Sequence, residues 1–312
     1  MTATIMLAKP YTPNKLRFPV MVSEKLDGVP AKIHISINEG IYPPSSLVSK
    51  RIIWTVQTRQ GKPFVAIHLQ VEALAEHLQD MGCIGTFVFV AEVTHQDHTM
   101  PFKDVSGYCR RQEQCDALRL NVFDFYRPTL VANEPAPDLL PFGKRIVLAS
   151  GLVRGMFWCK MVHQILCKDA VDLAKALIAV KVMHKDGFIP EGAVIRSCHD
   201  KWEEGKRGWG YQKVVERPTT EVFITGFEEA VSKEGEPLGM VGRMNGHWMG
   251  HNIGVGPGKL THFGRKQLWD LRNNDLWWDT PRWATVSYKR DPSYNSLREP
   301  TFQHWRPDHE PE

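Results

Sequence analysis

The change of texture at Arg217-Pro218 constrains this 312-residue chain more than any single motif. Before it, helical and strand-like patterns alternate. Residues 64–81 place Ile67, Val71, Leu74, Leu78 and Met81 on one apolar face, and residues 169–182 predict a second helix with Val171, Ala174, Leu177 and Ile178 inward. Residues 52–57, 86–93 and 118–126 read as strands, and the proline-rich stretch 128–141 as a surface loop. After the join, helical patterns thin out. Gly235, Gly239, Gly242, Gly246, Gly250 and Gly254 recur at hairpin-like intervals between β-rich pieces at 221–227 and 285–288. One further helix is expected at 261–271. The expectation is an α+β protein of two domains, residues 1–217 with mixed sheets and helices and residues 218–312 with a small β-barrel.

Composition restricts the setting. Hydrophobic residues at 42% and charged residues at 24% are those of an ordinary soluble globular protein. No run approaches the ~18 apolar residues of a membrane span. Residues 1–9 lack the basic start and apolar stretch of a signal peptide, so a cytoplasmic location is expected. The six cysteines form no Cys-x-x-Cys pair and read as free thiols in a reducing compartment. A net charge of +4 permits a polyanionic partner without demanding one. His95-x-x-His98 and His247-x-x-x-His251 lack a third ligand in sequence and read as solvated histidines. Eight of the ten tryptophans follow residue 200; packing explains most of them, although a nucleic-acid stacking surface has the same composition. Gly254-Val255-Gly256-Pro257-Gly258 lacks the strand, lysine and helix of a phosphate loop and reads as a turn.

Chemistry concentrates in the first domain. In Glu24-Lys25-Leu26-Asp27-Gly28, Lys25 emerges near the end of an apolar strand begun at Phe18, and Asp27-Gly28 turns the chain. Among other cations and partly desolvated, such an amine loses its proton and attacks phosphorus. Lys-x-Asp-Gly alone equally describes a solvated lysine in a turn, so the companions decide. Thr58-Arg59-Gln60-Gly61 offers an arginine for a phosphate. Glu92 lies inside the apolar strand Phe87-Val88-Phe89-Val90-Ala91-Glu92-Val93, where a carboxylate requires a partner. Glu191-Gly192 opens another apolar strand, and Lys213 lies in an aromatic, glycine-containing segment.

In this order the segments resemble the nucleotidyltransferase superfamily of ATP-dependent DNA ligases, RNA ligases and mRNA capping enzymes. Lys25 to Gly28 resembles its motif I, Arg59 motif Ia, Glu92 motif III, Phe123 the adenine-stacking position of motif IIIa, Glu191-Gly192-Ala193-Val194 motif IV, and Lys213 the second lysine of motif V. The ending Arg298-Glu299-Pro300-Thr301-Phe302-Gln303-His304-Trp305-Arg306-Pro307-Asp308 is similar to motif VI of DNA ligases and argues against an RNA ligase. The likeness to small phage-type ATP-dependent DNA ligases covers nearly the whole chain. Three positions depart from the pattern: Pro30 replaces an arginine, with Lys32 near; Tyr211 replaces the first lysine of motif V; His309 replaces a final lysine.

The resemblance implies an N-terminal adenylyltransferase (ATP-grasp-like) domain of antiparallel sheets and helices and a C-terminal OB-fold domain. It implies Lys25 as the residue that becomes lysyl-AMP, with Glu24 beside the bound nucleotide, Phe123 under adenine and Lys213 on the α-phosphate. Glu191 would organise Mg²⁺ (or Mn²⁺), and Glu92 would hold the ribose or a metal-bound water. Arg59 would contact the nick phosphate, and Arg298 and Arg306 the leaving pyrophosphate. The implied partners are ATP and nicked duplex DNA, bound by a monomer with no membrane and no additional N-terminal DNA-binding domain. The alternatives are an RNA ligase, a GTP-using capping-type transferase, and a non-catalytic OB-fold nucleic-acid-binding protein.

Overall fold

A computed structural model describes residues 5–38, 51–131, 134–136, 140–182, 191–280, 282–289 and 296–306. The chain divides into two compact units, Met1–Val215 and Glu216–Glu312.

The first unit contains, in chain order, β1 (Lys9–Pro10), β2 (Val20–Lys25), β3 (Val29–Asn38), β4 (Arg51–Thr58), α1 (His68–Asp80), β5 (Gly85–His95), α2 (Phe102–Arg110), β6 (Leu118–Tyr126), β7 (Thr129–Val131), β8 (Glu134–Ala136), α3 (Phe142–Leu152), β9 (Cys159–Met161), β10 (Ile165–Cys167), α4 (Ala170–Val182), β11 (Gly192–Ser197) and β12 (Tyr211–Val215). Two five-stranded sheets result, ordered β1-β12-β11-β2-β10 and β4-β3-β5-β6-β9. The described parts of the proline-rich stretch, β7 and β8, pair as a hairpin.

Alternation of side chains along each strand gives every sheet two apolar faces. Val88, Val90 and Tyr126 from the second sheet meet Val194 and Tyr211 from the first in one core, which also takes in Trp202. The outer face of the second sheet packs Ile33, Ile35, Phe89 and Leu120 against Val71, Leu74, Ala75 and Leu78 of α1. The outer face of the first sheet packs Val20, Val22 and Ile195 under α4. The layers are thus helices, sheet, sheet, helix, and the space between the sheets opens at the ends of β2 and β5.

Two sequence expectations need correction. Met81 lies past the end of α1 and is 49% exposed. In α4, Leu173, Ala176 and Val180 are buried, whereas Val171 and Ile178 are 62% and 64% exposed and Ala174 also faces out. That helix is apolar on nearly every side, so its period carries no phase. Packing against β2, β10 and β11 selects the face.

The second unit contains β13 (Thr219–Val231), β14 (Pro237–Trp248), β15 (His251–Val255), α5 (His262–Asp270), α6 (Asp275–Trp278), β16 (Trp283–Lys289) and β17 (Arg298–Arg306). Its sheet runs β15-β14-β13-β16-β17. The two edges meet just beyond β15, where Gly256 N–H donates to the Pro300 carbonyl (2.9 Å) and Phe302 N–H to the Gly256 carbonyl (3.0 Å). Five strands in this order, with a helix between the third and fourth, form the partly open Greek-key barrel of the OB fold. Thr261 caps α5 by accepting from Gly264 N–H at 3.1 Å. Trp248, Trp269, Trp277, Trp278 and Trp305 are partly buried and pack against this unit's core. All six cysteines of the chain are free. Among the described residues no helix is long and apolar enough to cross a membrane.

Candidate active site

β2 and β11 pair antiparallel with Lys25 opposite Gly192, so the lysine ends its strand beside Glu191. The Lys25 ammonium is ion-paired with the Glu191 carboxylate, and both are largely shielded. The glycine after Glu191 is obligatory: Gly192 has φ of +154°, and a β-carbon there would lie 1.9 Å from the Val214 carbonyl oxygen of β12. Gly28 is required by close approach, since a β-carbon would lie 2.3 Å from the Val93 carbonyl oxygen of β5. The glycine of each motif thus lets its charged neighbour reach the same point.

Glu92 comes from the other sheet. Burial pushes its carboxyl up to about 8. The Lys25 ammonium opposes that shift, Glu191 and Asp27 add to it, and a hydrogen bond from Gly28 N–H opposes it. The partner that the apolar strand demanded is therefore the turn that follows Lys25, together with Lys25 itself.

The walls follow from register. Ser23, Val194 and Lys213 form one row across β2, β11 and β12, and Met21, Arg196 and Tyr211 the next. Lys213, Arg196 and Tyr211 line one cavity together with Glu24, Lys25, Glu92 and Phe123. Phe123 owes its place to a bulge: Val90 pairs with Asp124 and the next residue, Ala91, with Val122, which leaves Phe123 as the extra residue of β6.

The inner end of the cavity carries a network that the sequence reading missed. The fully buried Asp124 accepts from Arg145 Nε (2.9 Å) and Nη2 (3.1 Å) and is ion-paired with Arg196. Arg145 also donates to the carbonyls of Leu140 (2.7 Å) and Asp200 (2.9 Å). The Arg196 guanidinium lies over the rings of Phe142 (4.2 Å) and Tyr211 (4.7 Å). Burial pushes the Tyr211 hydroxyl up to about 12, against the nearby charge of Arg196. A carboxylate inside Val122-Phe123-Asp124-Phe125 is the same signal that marked Glu92, and would have pointed to it.

The remaining candidates disperse. Arg59 is exposed just after β4 and outside the cavity wall, yet its charge is among those acting on Tyr211. Lys32, two residues after Pro30, is buried and tied to Glu204 at 2.6 Å, so it does not line the cavity. Arg298 and Arg306 belong to the second unit, at the two ends of β17. Arg298 is buried, and Arg306 Nε is 2.6 Å from Glu221 Oε1. Residues 186–190, Asp308 and His309 lie outside the described residues. Among the described residues no group of three or more His, Cys, Asp or Glu forms a metal cluster.

This combination of a cavity between two sheets and a separate OB-fold unit is the fold of DNA ligases. Among solved structures, Pmar-Lig_Pre has a TM-score of 0.74 at 16% identity, covering 98% of this chain and 68% of its own. A Lig E DNA ligase, described as binding DNA with a minimal scaffold, has a TM-score of 0.64 at 15% identity, covering 98% and 100%. The ligase domain of M. tuberculosis LigD has a TM-score of 0.50 at 20% identity, covering 98% and 96%. At such identities the likeness establishes the fold alone. No protein-family model matches the sequence, and no curated protein matches it.

Proposed function

We propose that the chain is an ATP-dependent DNA ligase that seals nicks bearing a 5′-phosphate and a 3′-hydroxyl. The observation that carries this reading is Lys25 at a strand end, ion-paired with Glu191 and facing Glu92, in a cavity whose other walls are Phe123 and Lys213. In the first step the Lys25 amine gives up a proton, its lone pair forms a bond to the α-phosphorus of ATP, and pyrophosphate leaves. In the second, a 5′-phosphate oxygen of the nick takes the AMP and the N–P bond breaks. In the third, the 3′-hydroxyl attacks the activated 5′-phosphate and AMP departs.

Each transfer develops negative charge on phosphoryl oxygens, which fixed cations stabilise. Lys213 serves the α-phosphate, Arg59 the nick phosphate, and Arg298 and Arg306 the pyrophosphate. Phe123 stacks on adenine, and Glu24 borders the bound nucleotide. Glu191 and Glu92 fit Mg²⁺ or Mn²⁺: two carboxylates that repel one another beside Lys25 are a donor set that substrate phosphates would complete. Such an ion supplies charge neutralisation on the phosphates. The protein acts as a cytoplasmic monomer, with residues 1–217 as adenylyltransferase domain and residues 218–312 as OB-fold domain sharing the grip on DNA.

The test is incubation with α-labelled ATP or GTP and Mg²⁺, followed by denaturing electrophoresis. Label from ATP on the wild type and none on Lys25→Ala is the expected result. Label surviving in the variant removes Lys25, and label from GTP alone makes the enzyme a capping-type transferase.

A further inference from the structure

A second groove opens on the first unit, with a volume of about 460 Å³, large enough for a nucleotide. Its floor is Arg119. Three hydrogen bonds tie that guanidinium to the fold: Nη1 donates to the carbonyls of Asp116 (2.8 Å) and Leu118 (2.9 Å), and Nη2 to Gln96 Oε1 (2.6 Å). What it offers outward is its flat face, over which lie the rings of Phe157 (4.5 Å) and Trp158 (4.3 Å). The two rings meet edge to face at 5.0 Å. Phe157 is nevertheless 72% exposed. A large aromatic ring that is both exposed and held in place stacks on a ligand ring with little further ordering.

The groove is joined to the candidate active site through one row of the sheet. Glu92 of β5 pairs with Asn121 of β6, and Asn121 with Lys160 of β9. Asn121 Nδ2 fixes this row by donating to the Glu92 carbonyl (3.0 Å) and to Thr94 Oγ1 (2.9 Å). Two strand spacings put Lys160 roughly 10 Å from Glu92. A duplex strand rises about 3.4 Å per nucleotide, so that distance is roughly three base steps. The charges in the groove are Arg119 and Lys160 against Asp97. The Asp97 carboxylate is held by Thr99 N–H (2.9 Å) and Oγ1 (2.7 Å) in its own turn. The balance favours a phosphodiester backbone.

Resting on the ligase reading above, we infer that this groove binds the DNA strand about three nucleotides from the reacting phosphate, with a base turned out of the duplex stack against Phe157 and a backbone phosphate at Lys160. The test measures binding of nicked duplexes carrying a single abasic nucleotide at successive positions on either side of the nick, by fluorescence anisotropy. Wild-type affinity should drop at one position near the third nucleotide. Phe157→Ala should weaken binding of the intact nick roughly 5- to 150-fold, the range of base–aromatic stacking, and should lose the dependence on that position. Phe157→Tyr should keep both, and Lys160→Ala should lower the salt slope by about one phosphate contact. Thermal unfolding of each variant checks that the fold is kept; the exposure of both side chains predicts little change. Unaltered nick affinity in a folded Phe157→Ala overturns the inference, leaving the aromatic pair for a protein partner. A wild-type chain that takes no label from ATP and seals no nick removes the ligase reading instead, and the two failures are distinct.

Discussion

The two ends of the active-site cavity hold charge in opposite ways. At the inner end Asp124 faces two arginines, and Arg145 meets it with two parallel hydrogen bonds while further donors reach carbonyls. At the outer end one lysine is shared between Glu191 and Glu92, and burial holds the Glu92 carboxyl up to about 8. The Asp124 carboxylate is satisfied, and the two arginines around it shape the wall on which Tyr211 and Phe142 rest. The outer charges are held in conflict, which the proposed binding of a cation and a triphosphate would relieve. A buried carboxylate can thus be read as architecture or as chemistry by asking whether its donors suffice.

The largest effect should separate the ends completely. Lys25→Ala should abolish covalent labelling from ATP while unfolding at nearly the wild-type denaturant concentration. Asp124→Ala should do the reverse in kind, destabilising the fold by about 3–5 kcal/mol because it strands two buried arginines. Denaturant melts of the two variants side by side are the measurement, and equal stability would erase the difference between the two ends of the cavity. Phe123→Ala lies between the ends. Loss of a stacking face should weaken ATP about 5- to 150-fold by equilibrium titration, as expected for 1–3 kcal/mol. A collapse of thermal stability would make Phe123 a core residue instead.

A smaller effect concerns pH. Burial holds the Glu92 carboxyl above the ordinary glutamate value of 4.5, so the folded state keeps a proton that the unfolded state releases. That contribution to stability is whole below about pH 4.5 and is lost as pH rises to about 8. Compared with Glu92→Gln, the ligand-free wild type should lose at most about 1.4 kcal/mol per pH unit across that window. A parallel pair of stability curves would show that the outer end is not strained. The smallest change is expected from Arg306→Ala, whose pairing with Glu221 is half-exposed and contributes about 0–1 kcal/mol. Its self-adenylation should still fall more than its sealing of a pre-adenylated nick. Equal loss on both substrates would reassign Arg306 to DNA binding.

The motif residues were legible because their partners are local or carried by strand ends. Lys25, Glu92, Phe123 and Lys213 were named from sequence and line one cavity, and Glu191, named with them, is ion-paired with Lys25. β6 was readable to the residue because its apolar run is bounded on both sides. Arg145 and Arg196 were not legible, since they stand 21 and 72 positions from Asp124 and no spacing rule links such distances. The inward face of α4 was misread for a different reason: an apolar sequence on all sides leaves orientation to tertiary packing. Lys32 shows a third limit, because proximity in sequence to Pro30 said nothing about the salt bridge that claims it.

The short strand β1 bears on how the protein should be handled. It pairs in parallel with β12, setting Pro10 opposite Lys213, and Tyr11 N–H donates to the Lys213 carbonyl at 3.0 Å. Lys9 reaches over Trp209 at 3.8 Å. Trimming the chain beyond residue 8 would bare the backbone of β12 along this edge, beside the lysine assigned to the α-phosphate. Bared strand edges recruit other strands. An N-terminal truncation there should therefore make the protein prone to self-association as well as less active, whereas fusions placed ahead of Ile5 leave that border intact.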